Sequence, residues 1–240
     1  MKVSIFVTCL IDQLCPQVGA AAVEVLRRAG CEVVFDARQT CCGQPAFNTG
    51  YRTEARKFAE RFIEIFEATD ADAIVAPSGS CTAMVKHFCE LFPDENWRER
   101  AERIAAKTHE FSSFLVNVLK VEAVGASYAG KLTWHDACHG LRDLNIRREP
   151  RRLLKQVANA EFVEMQGADV CCGFGGTFSV KYPEISAAIL DNKIEAIEQA
   201  GVDAVVSCDA SCLMQIGGRL SRTDSKIKAV HIAEILAAQE

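Results

Sequence analysis

Nine of the twelve cysteines in this 240-residue chain fall in one pattern that occurs twice. Cys9 is followed by Cys41-Cys42-Gly43 and Cys81, and Cys138 by Cys171-Cys172-Gly173, Cys208 and Cys212. Thiolates are soft donors, and sulfur-only sites select zinc, Cu(I) or iron-sulfur clusters. Neighbouring residues of an extended chain point to opposite faces, so a Cys-Cys pair serves one site only where the backbone turns sharply. Gly43 and Gly173 permit that turn, because glycine accepts positive φ and lets backbone N–H groups approach sulfur. Structural zinc sites usually take four ligands in close pairs, whereas the second copy spreads five sulfurs over 75 residues. An iron-sulfur cluster suits this spread better, with zinc and bare dithiol chemistry as the alternatives.

The two copies superpose on each other from the sequence alone. Cys9 to Cys138 is 129 residues, Cys41 to Cys171 is 130 and Cys81 to Cys212 is 131. The flanks agree: KVSIFVTC at 2–9 lies over KLTWHDAC at 131–138, and DAIVAPSGSC at 72–81 over DAVVSCDASC at 203–212. A repeat of this length is a duplicated domain, which divides the chain into residues 1–120 and 121–240. Cys15, Cys31 and Cys89 fall over Leu144, Ala160 and Leu220 and read as packing residues.

The copies also differ, and the differences gather at the cysteines. Phe6, Val7, Leu10 and Gln13 of the first become His135, Asp136, His139 and Arg142 of the second, while Cys208 replaces Pro77. A strand end that turns polar beside a ligand cysteine suggests tuning of the bound group or proton transfer, so His135, His139 and Arg142 are candidate catalytic residues. A cap or a loop hydrogen bond is the plainer role for either histidine. The run Gly173-Phe174-Gly175-Gly176 offers backbone N–H groups to an anionic cluster or a carboxylate, which makes Gly43, Gly173, Gly175 and Gly176 candidate cofactor-binding positions. The run does not have dinucleotide-binding spacing, and GASYAGK at 125–131 lacks the Ser/Thr of a phosphate loop.

A composition of 49% apolar and 25% charged residues belongs to a globular chain, too regular for disorder. A net charge of -5 argues against nucleic acid. Neither a signal peptide nor a segment of membrane-spanning length is evident, which predicts the cytoplasm, where thiols stay reduced and bind metal rather than pair as disulfides.

The elements that must position these thiols alternate. Strands are predicted at 3–7, 32–35 and 73–76, with helices at 18–29, 52–68 and from Cys81 to about Leu91. Ala55, Phe58, Ala59, Phe62, Ile65 and Phe66 form the buried stripe of the second helix. The second half repeats the order, with strands at 132–136, 161–164 and 204–207 and a long helix at 183–200. Residues 93–120 read as a charged, helical connector. The fold class is therefore α/β: two duplicated domains related by pseudo-twofold symmetry, each a small parallel sheet flanked by helices. Each half is expected to bury its own core and to bring its thiols to one point at the carboxyl ends of its strands.

With the cysteines so placed, the chain resembles the CCG-domain (cysteine-rich domain) iron-sulfur proteins, which include the cysteine-rich subunit of heterodisulfide reductase and the iron-sulfur subunit of glycolate oxidase. CCGQPAFNTGYR, APSGSCTAM, HDACHGLR, CCGFGGTFS and CDASCLMQ look most like the motifs of the lactate utilization protein A family. That resemblance covers the whole chain. It implies a cytoplasmic component of an L-lactate-to-pyruvate system that works with a ferredoxin-like iron-sulfur subunit and a third lactate-utilization subunit. It also implies a 4Fe-4S cluster, foremost in the second half on Cys138, Cys171, Cys172, Cys208 and Cys212, while Cys9, Cys41, Cys42 and Cys81 of the first half leave open a four-cysteine cubane or no metal at all. Two departures stand out: Cys208 and Cys212 are spaced C-x3-C rather than C-x2-C, and Ser78 stands where Cys81 would have a partner. A heterodisulfide-type thiol/disulfide reductase subunit and a zinc-binding assembly protein are the alternative functions.

Overall fold

The computed structural model describes residues 1–239. The first half runs β1 (Lys2–Ile5), α1 (Cys9–Leu14), α2 (Pro16–Arg28), β2 (Glu32–Val34), α3 (Gln44–Asn48), α4 (Arg52–Glu67), β3 (Ala73–Ala76) and α5 (Gly79–Lys86). After a 3-10 turn come α6 (Glu95–Lys107), β4 (Thr108–Glu110) and α7 (Phe111–Ser113), the last continuing into a π-helical turn over Phe114–Val118. The second half repeats this with β5 (Ser127–Trp134), α8 (Cys138–Arg142), α9 (Arg148–Leu154), β6 (Ala158–Phe162), α10 (Thr177–Lys181), α11 (Pro183–Gln199), β7 (Ala204–Ser207), α12 (Ala210–Arg222), β8 (Lys228–His231) and α13 (Ile232–Ala237).

Two four-stranded, all-parallel sheets result, ordered β2-β1-β3-β4 and β6-β5-β7-β8. The central strands β3 (AIVA) and β7 (AVVS) are buried throughout, as strands covered on both faces must be. The helices that cover them show one pattern: Ala55, Ala59, Phe62, Ile63 and Phe66 of α4 are buried, and so are Ser186, Leu190, Lys193, Ile194 and Ile197 of α11. Phe58, expected on that stripe, is instead at the rim and 37% exposed.

The structure departs from the sequence reading in three further ways. The connector is not helical throughout: it supplies β4 as a fourth strand, and β8 is its counterpart. The strand expected at 161–164 spans Ala158–Phe162, and the one expected at 132–136 spans Ser127–Trp134, so Gly130, the second glycine of GASYAGK, sits inside a strand. Finally, the halves do not keep separate cores. One apolar cluster runs from Val3, Ile5 and Leu26 through Phe111, Phe114 and Leu115 to Trp134, Val205 and Leu236, while a second lies on the outer face of the first half around Phe62 and Phe88.

A reciprocal exchange of helices creates the shared core. The segment α7 and its π-turn, at the end of the first half, packs on α9 of the second, and α13 at the end of the second packs on α2 of the first. The Arg28 guanidinium of α2 donates to the carbonyls of Val124, Leu236 and Ala237 at 3.2, 3.2 and 3.0 Å, satisfying the end of α13.

Polar groups pin the two halves at the strand ends. Asp209 is buried and accepts from Ser78 Oγ at 2.8 Å, Ser80 Oγ at 2.6 Å and Ser80 N at 3.2 Å. His231 Nε2 lies 3.0 Å from the Pro77 carbonyl and 2.9 Å from the Cys208 carbonyl, two positions that superpose in the repeat. Its counterpart at the end of β4 is Glu110, whose Oε2 accepts from Ser112 Oγ at 2.6 Å and Ser113 N at 2.9 Å while Oε1 is buried without a partner. Burial pushes the Glu110 carboxyl up to about 7 against those two bonds, and the charge of Asp209 adds to the rise.

Two outcomes are expected. Residues 1–120 expressed alone leave Phe111, Phe114 and Leu115 without their partners, so they will show no cooperative thermal transition by circular dichroism, whereas the full chain will; a sharp transition in the isolated half would contradict the shared core. Between pH 4.5 and 7 the folded chain keeps the Glu110 proton that the unfolded chain releases. Stability therefore falls as pH rises through that window, by on the order of 3 kcal/mol. Denaturant midpoints measured across the window should slope downward more steeply in the parent than in Glu110→Gln; parallel slopes would rule the effect out.

Candidate metal centre

In each sheet the order in which strands are added reverses between the first and third strands, β1 and β3 or β5 and β7. The carboxyl ends of such a pair form a crevice, the place where open parallel sheets bind ligands. Cys9 opens α1 just past β1, and Cys81 lies in the first turn of α5 just past β3; Cys138 opens α8 past β5, and Cys212 lies in the first turn of α12 past β7. The N-terminal ends of α5 and α12 thus face sulfur with their positive dipole ends, which favours thiolate.

The Cys-Cys-Gly turns complete each set. Gly43 and Gly173 adopt φ of 84° and 82°, and their N–H groups donate to the sulfurs of Cys41 and Cys171 at 3.4 and 3.3 Å. A Cβ on Gly43 would lie 2.9 Å from that of Phe58, and one on Gly173 would strike the Ser186 carbonyl, so each turn is closed to larger residues. In the first set Cys9 Sγ is 3.5 Å from Cys41 Sγ, and Cys42 bridges Cys41 and Cys81. In the second, Cys171 touches Cys138 and Cys172, and Cys172 touches Cys212.

Such proximity divides the protons unequally. Hydrogen bonds from Cys42 and Cys9, helped by Gly43 N–H, pull the Cys41 thiol down to about 3. Cys138 and Cys172 likewise pull Cys171 far down, while the donors Cys9 and Cys138 are pushed up. Cys212 is drawn to about 6, first by Cys172, against burial and with help from His135.

Both sets line a single cleft of about 230 Å³. Cys9, Cys41, Cys42 and Cys81 face it from one half, and Cys138, Cys171, Cys172 and Cys212 from the other, with Gln44, Asn48, Ser80, Thr177 and His139 between them. The sequence reading placed one point on each half; the pseudo-twofold arrangement turns the two points toward each other. Gly175 and Gly176 also line the cleft.

The remaining candidates lie around it. Cys208 is buried, 3.9 Å from Asp209 Oδ2, and does not line the cleft. It sits where the halves meet backbone to backbone: a Cβ on Gly140 would lie 3.7 Å from its sulfur, and one on Gly79 would lie 3.0 Å from Gly140 Cα. His135 is buried behind the cleft, where its ring and the sulfurs of Cys172 and Cys212 offer donor atoms within 4.8 Å of one another. Neither ring nitrogen has a well-aligned hydrogen-bond partner among the described residues, although the ring lies close enough to Cys212 to help hold its thiolate. His139 faces the cleft with Nδ1 2.5 Å from Asp143 Oδ2. Arg142 is exposed on α8 and does not line the cleft. Cys31 is buried in the core, Cys15 packs against the same core and Cys89 against the outer one.

Two further residues lie behind the second set: Asp136, noted in the sequence only as one of the substitutions at the cysteines, and Lys193, which the sequence reading missed. Asp136 is held by Trp134 Nε1 at 2.7 Å and by a bidentate Arg151 at 2.8 Å to each oxygen. Lys193, fully buried, donates to the carbonyls of Gly167 and Ala168 at 2.6 and 3.2 Å. The signal for Lys193 was present: FIEIFE at 62–67 lies over KIEAIE at 193–198, with a lysine in place of a core phenylalanine. The thiols that line the cleft, four from each half, and the one group among the described residues whose donor atoms lie within 4.8 Å of one another, His135 with Cys172 and Cys212, fit a metal group held mainly by thiolates.

A cysteine-rich domain model matches residues 3–86 and 132–217, one match for each half. Lactate utilization protein A of Bacillus subtilis is 49% identical over 237 residues, 98% of this chain and 99% of its own. The proteins of that name from Geobacillus thermodenitrificans and Geobacillus kaustophilus are 51% and 50% identical, covering 98% and 100% of this chain and 98% and 100% of their own. Among solved structures, an aspartate racemase homologue from Pyrococcus horikoshii aligns with 98% of this chain and 95% of its own at a TM-score of 0.36 and 11% identity, too loose a likeness to argue from. With both cysteine-rich repeats matched and about half of all residues identical from end to end, the chain belongs to the lactate utilization protein A family.

Proposed function

We propose that the chain is the iron-sulfur electron-transfer component of a system that oxidises L-lactate to pyruvate. The observation that carries this reading is the pair of four-sulfur sets on one cleft. The relatives' shared name supplies the link to lactate. Cys138, Cys171, Cys172 and Cys212 would hold a 4Fe-4S cluster in the second half, with buried Cys208 as a fifth sulfur beside it. Cys9, Cys41, Cys42 and Cys81 would hold the corresponding group in the first. When bound, such clusters accept and release single electrons.

The chain's own residues do the rest. The Gly43 and Gly173 N–H groups offset thiolate charge, His135 borders the second set, and His139 with Asp143 offers a proton site on the cleft wall. On the family resemblance, the chain would act with partners, a ferredoxin-like iron-sulfur subunit and a third lactate-utilization subunit. No described helix is long and apolar enough to cross a membrane, and we place the protein in the cytoplasm. The cleft itself favours one second reading: a space of about 230 Å³ between two thiolate sets could admit a small disulfide, as a heterodisulfide-type reductase requires.

Anaerobic purification should yield a brown protein with about four or more irons and matching sulfide per chain. Cys172→Ser should lose the iron of the second set, and a strain lacking the gene should fail to grow on lactate and not be rescued by that variant. A colourless zinc protein would sink the cluster reading. Normal growth on lactate without the gene would point to the disulfide reading.

A further inference from the structure

Superposing the repeat shows what surrounds each thiolate set. Behind the first, Phe6 meets Phe62 edge-on at 4.9 Å and Phe66 at 5.7 Å, an apolar stack. Behind the second, Phe6 is replaced by His135 and Phe62 by Lys193, in a helix whose buried Ser186, Leu190, Ile194 and Ile197 lie over the buried Ala55, Ala59, Ile63 and Phe66 of α4.

A fully buried lysine is expensive, and core lysines are normally paired with a carboxylate. Lys193 makes no ion pair among the described residues, since Asp136 is engaged by Arg151. Its ammonium instead caps the Gly167 and Ala168 carbonyls, three or four residues ahead of Cys171. Burial pulls it down to about 8, and the negative charges of Cys172, Asp136, Asp169 and Cys171 resist this, so it is mostly charged near neutrality.

We infer that Lys193 is a fixed countercharge beneath the second thiolate set, raising the reduction potential of the cluster held there above that of the first and so directing electrons from the first set to the second. Reduction adds one negative charge to a cluster. A nearby cation in a low-dielectric interior stabilises that charge, and a phenylalanine cannot. The step is a single electron transfer: the first cluster is oxidised by one electron and the second reduced by one, and no bond or proton moves. Lys193 touches no reacting atom in this scheme, so it is a positioning residue. The inference rests on the cluster reading above.

The test is an electron paramagnetic resonance redox titration of the full, anaerobically reconstituted chain and of Lys193→Gln and Lys193→Met. The glutamine keeps an N–H donor on the side chain while removing the charge, so it remains informative if the methionine variant folds poorly. Cys9→Ser, which disables the first set, assigns the signals. The expected result is a second-set signal shifted to more negative potential in both variants, with the first-set signal and the iron count unchanged. An unmoved second-set signal, or an equal shift in both signals, would overturn the proposal. Iron in the second set only would overturn the stated direction of transfer. A parent chain without iron and sulfide would instead show that the cluster reading itself had failed.

Discussion

Sulfurs in contact cannot all be ionised at once, because each thiolate raises the cost of the next. Every feature around the cleft addresses that cost. Each set keeps one strongly favoured thiolate, Cys41 or Cys171, fed by neighbouring thiols and by a glycine N–H at 3.4 or 3.3 Å. The remaining protons are the natural point of exchange for a metal, whose positive charge would let all four sulfurs ionise together. The positive φ of Gly43 and Gly173, the strand ends that launch Cys9 and Cys138, and the first turns of α5 and α12 are all arranged to gather charge that would otherwise disperse.

The same constraint explains why the halves interlock. Two sets on one cleft are useful only if their separation is fixed, and domains joined by a linker alone would drift. Exchange of α7 and α13 between the halves makes the junction part of the core. Closer to the cleft, Asp209 takes three donors from Ser78 and Ser80, and His231 spans the carbonyls of Pro77 and Cys208. These bonds tie the loop before Cys81 to the loop before Cys212. Buried polar groups of this kind, fully satisfied, rigidify a junction that apolar packing alone would leave adjustable.

Much of this was legible in the sequence, for physical reasons that differ by element. The central strands AIVA and AVVS declare themselves by continuous burial, and the stripe of α4 by its spacing. β4 and β8 do not, because Thr108–Glu110 and Lys228–His231 are short edge strands with polar residues at the end that meets the other half. The cysteine spacing showed that three segments converge in each copy. It carried no information on how the copies face each other, since that depends on packing between residues more than a hundred positions apart, such as Ser78 and Asp209. Cys208 illustrates the limit: its sequence neighbourhood groups it with Cys212, yet its side chain turns into the junction with Gly79 and Gly140.

The asymmetry between the copies is best understood from the apolar one. Phe6, Phe62 and Phe66 are a sufficient solution to filling the space behind a thiolate set, worth several kcal/mol in burial and edge-to-face contact. Stability alone would favour the same solution twice. The second half replaces two of those three aromatic residues with His135, whose ring nitrogens lack well-aligned partners among the described residues, and Lys193, whose charge lacks an ion pair among them. It then adds Arg151 and Asp136 next to them. Each of those groups costs desolvation that the phenylalanines avoid. A cost accepted behind one thiolate set and not behind the other is what the proposed difference in the chemistry of the two sides would call for.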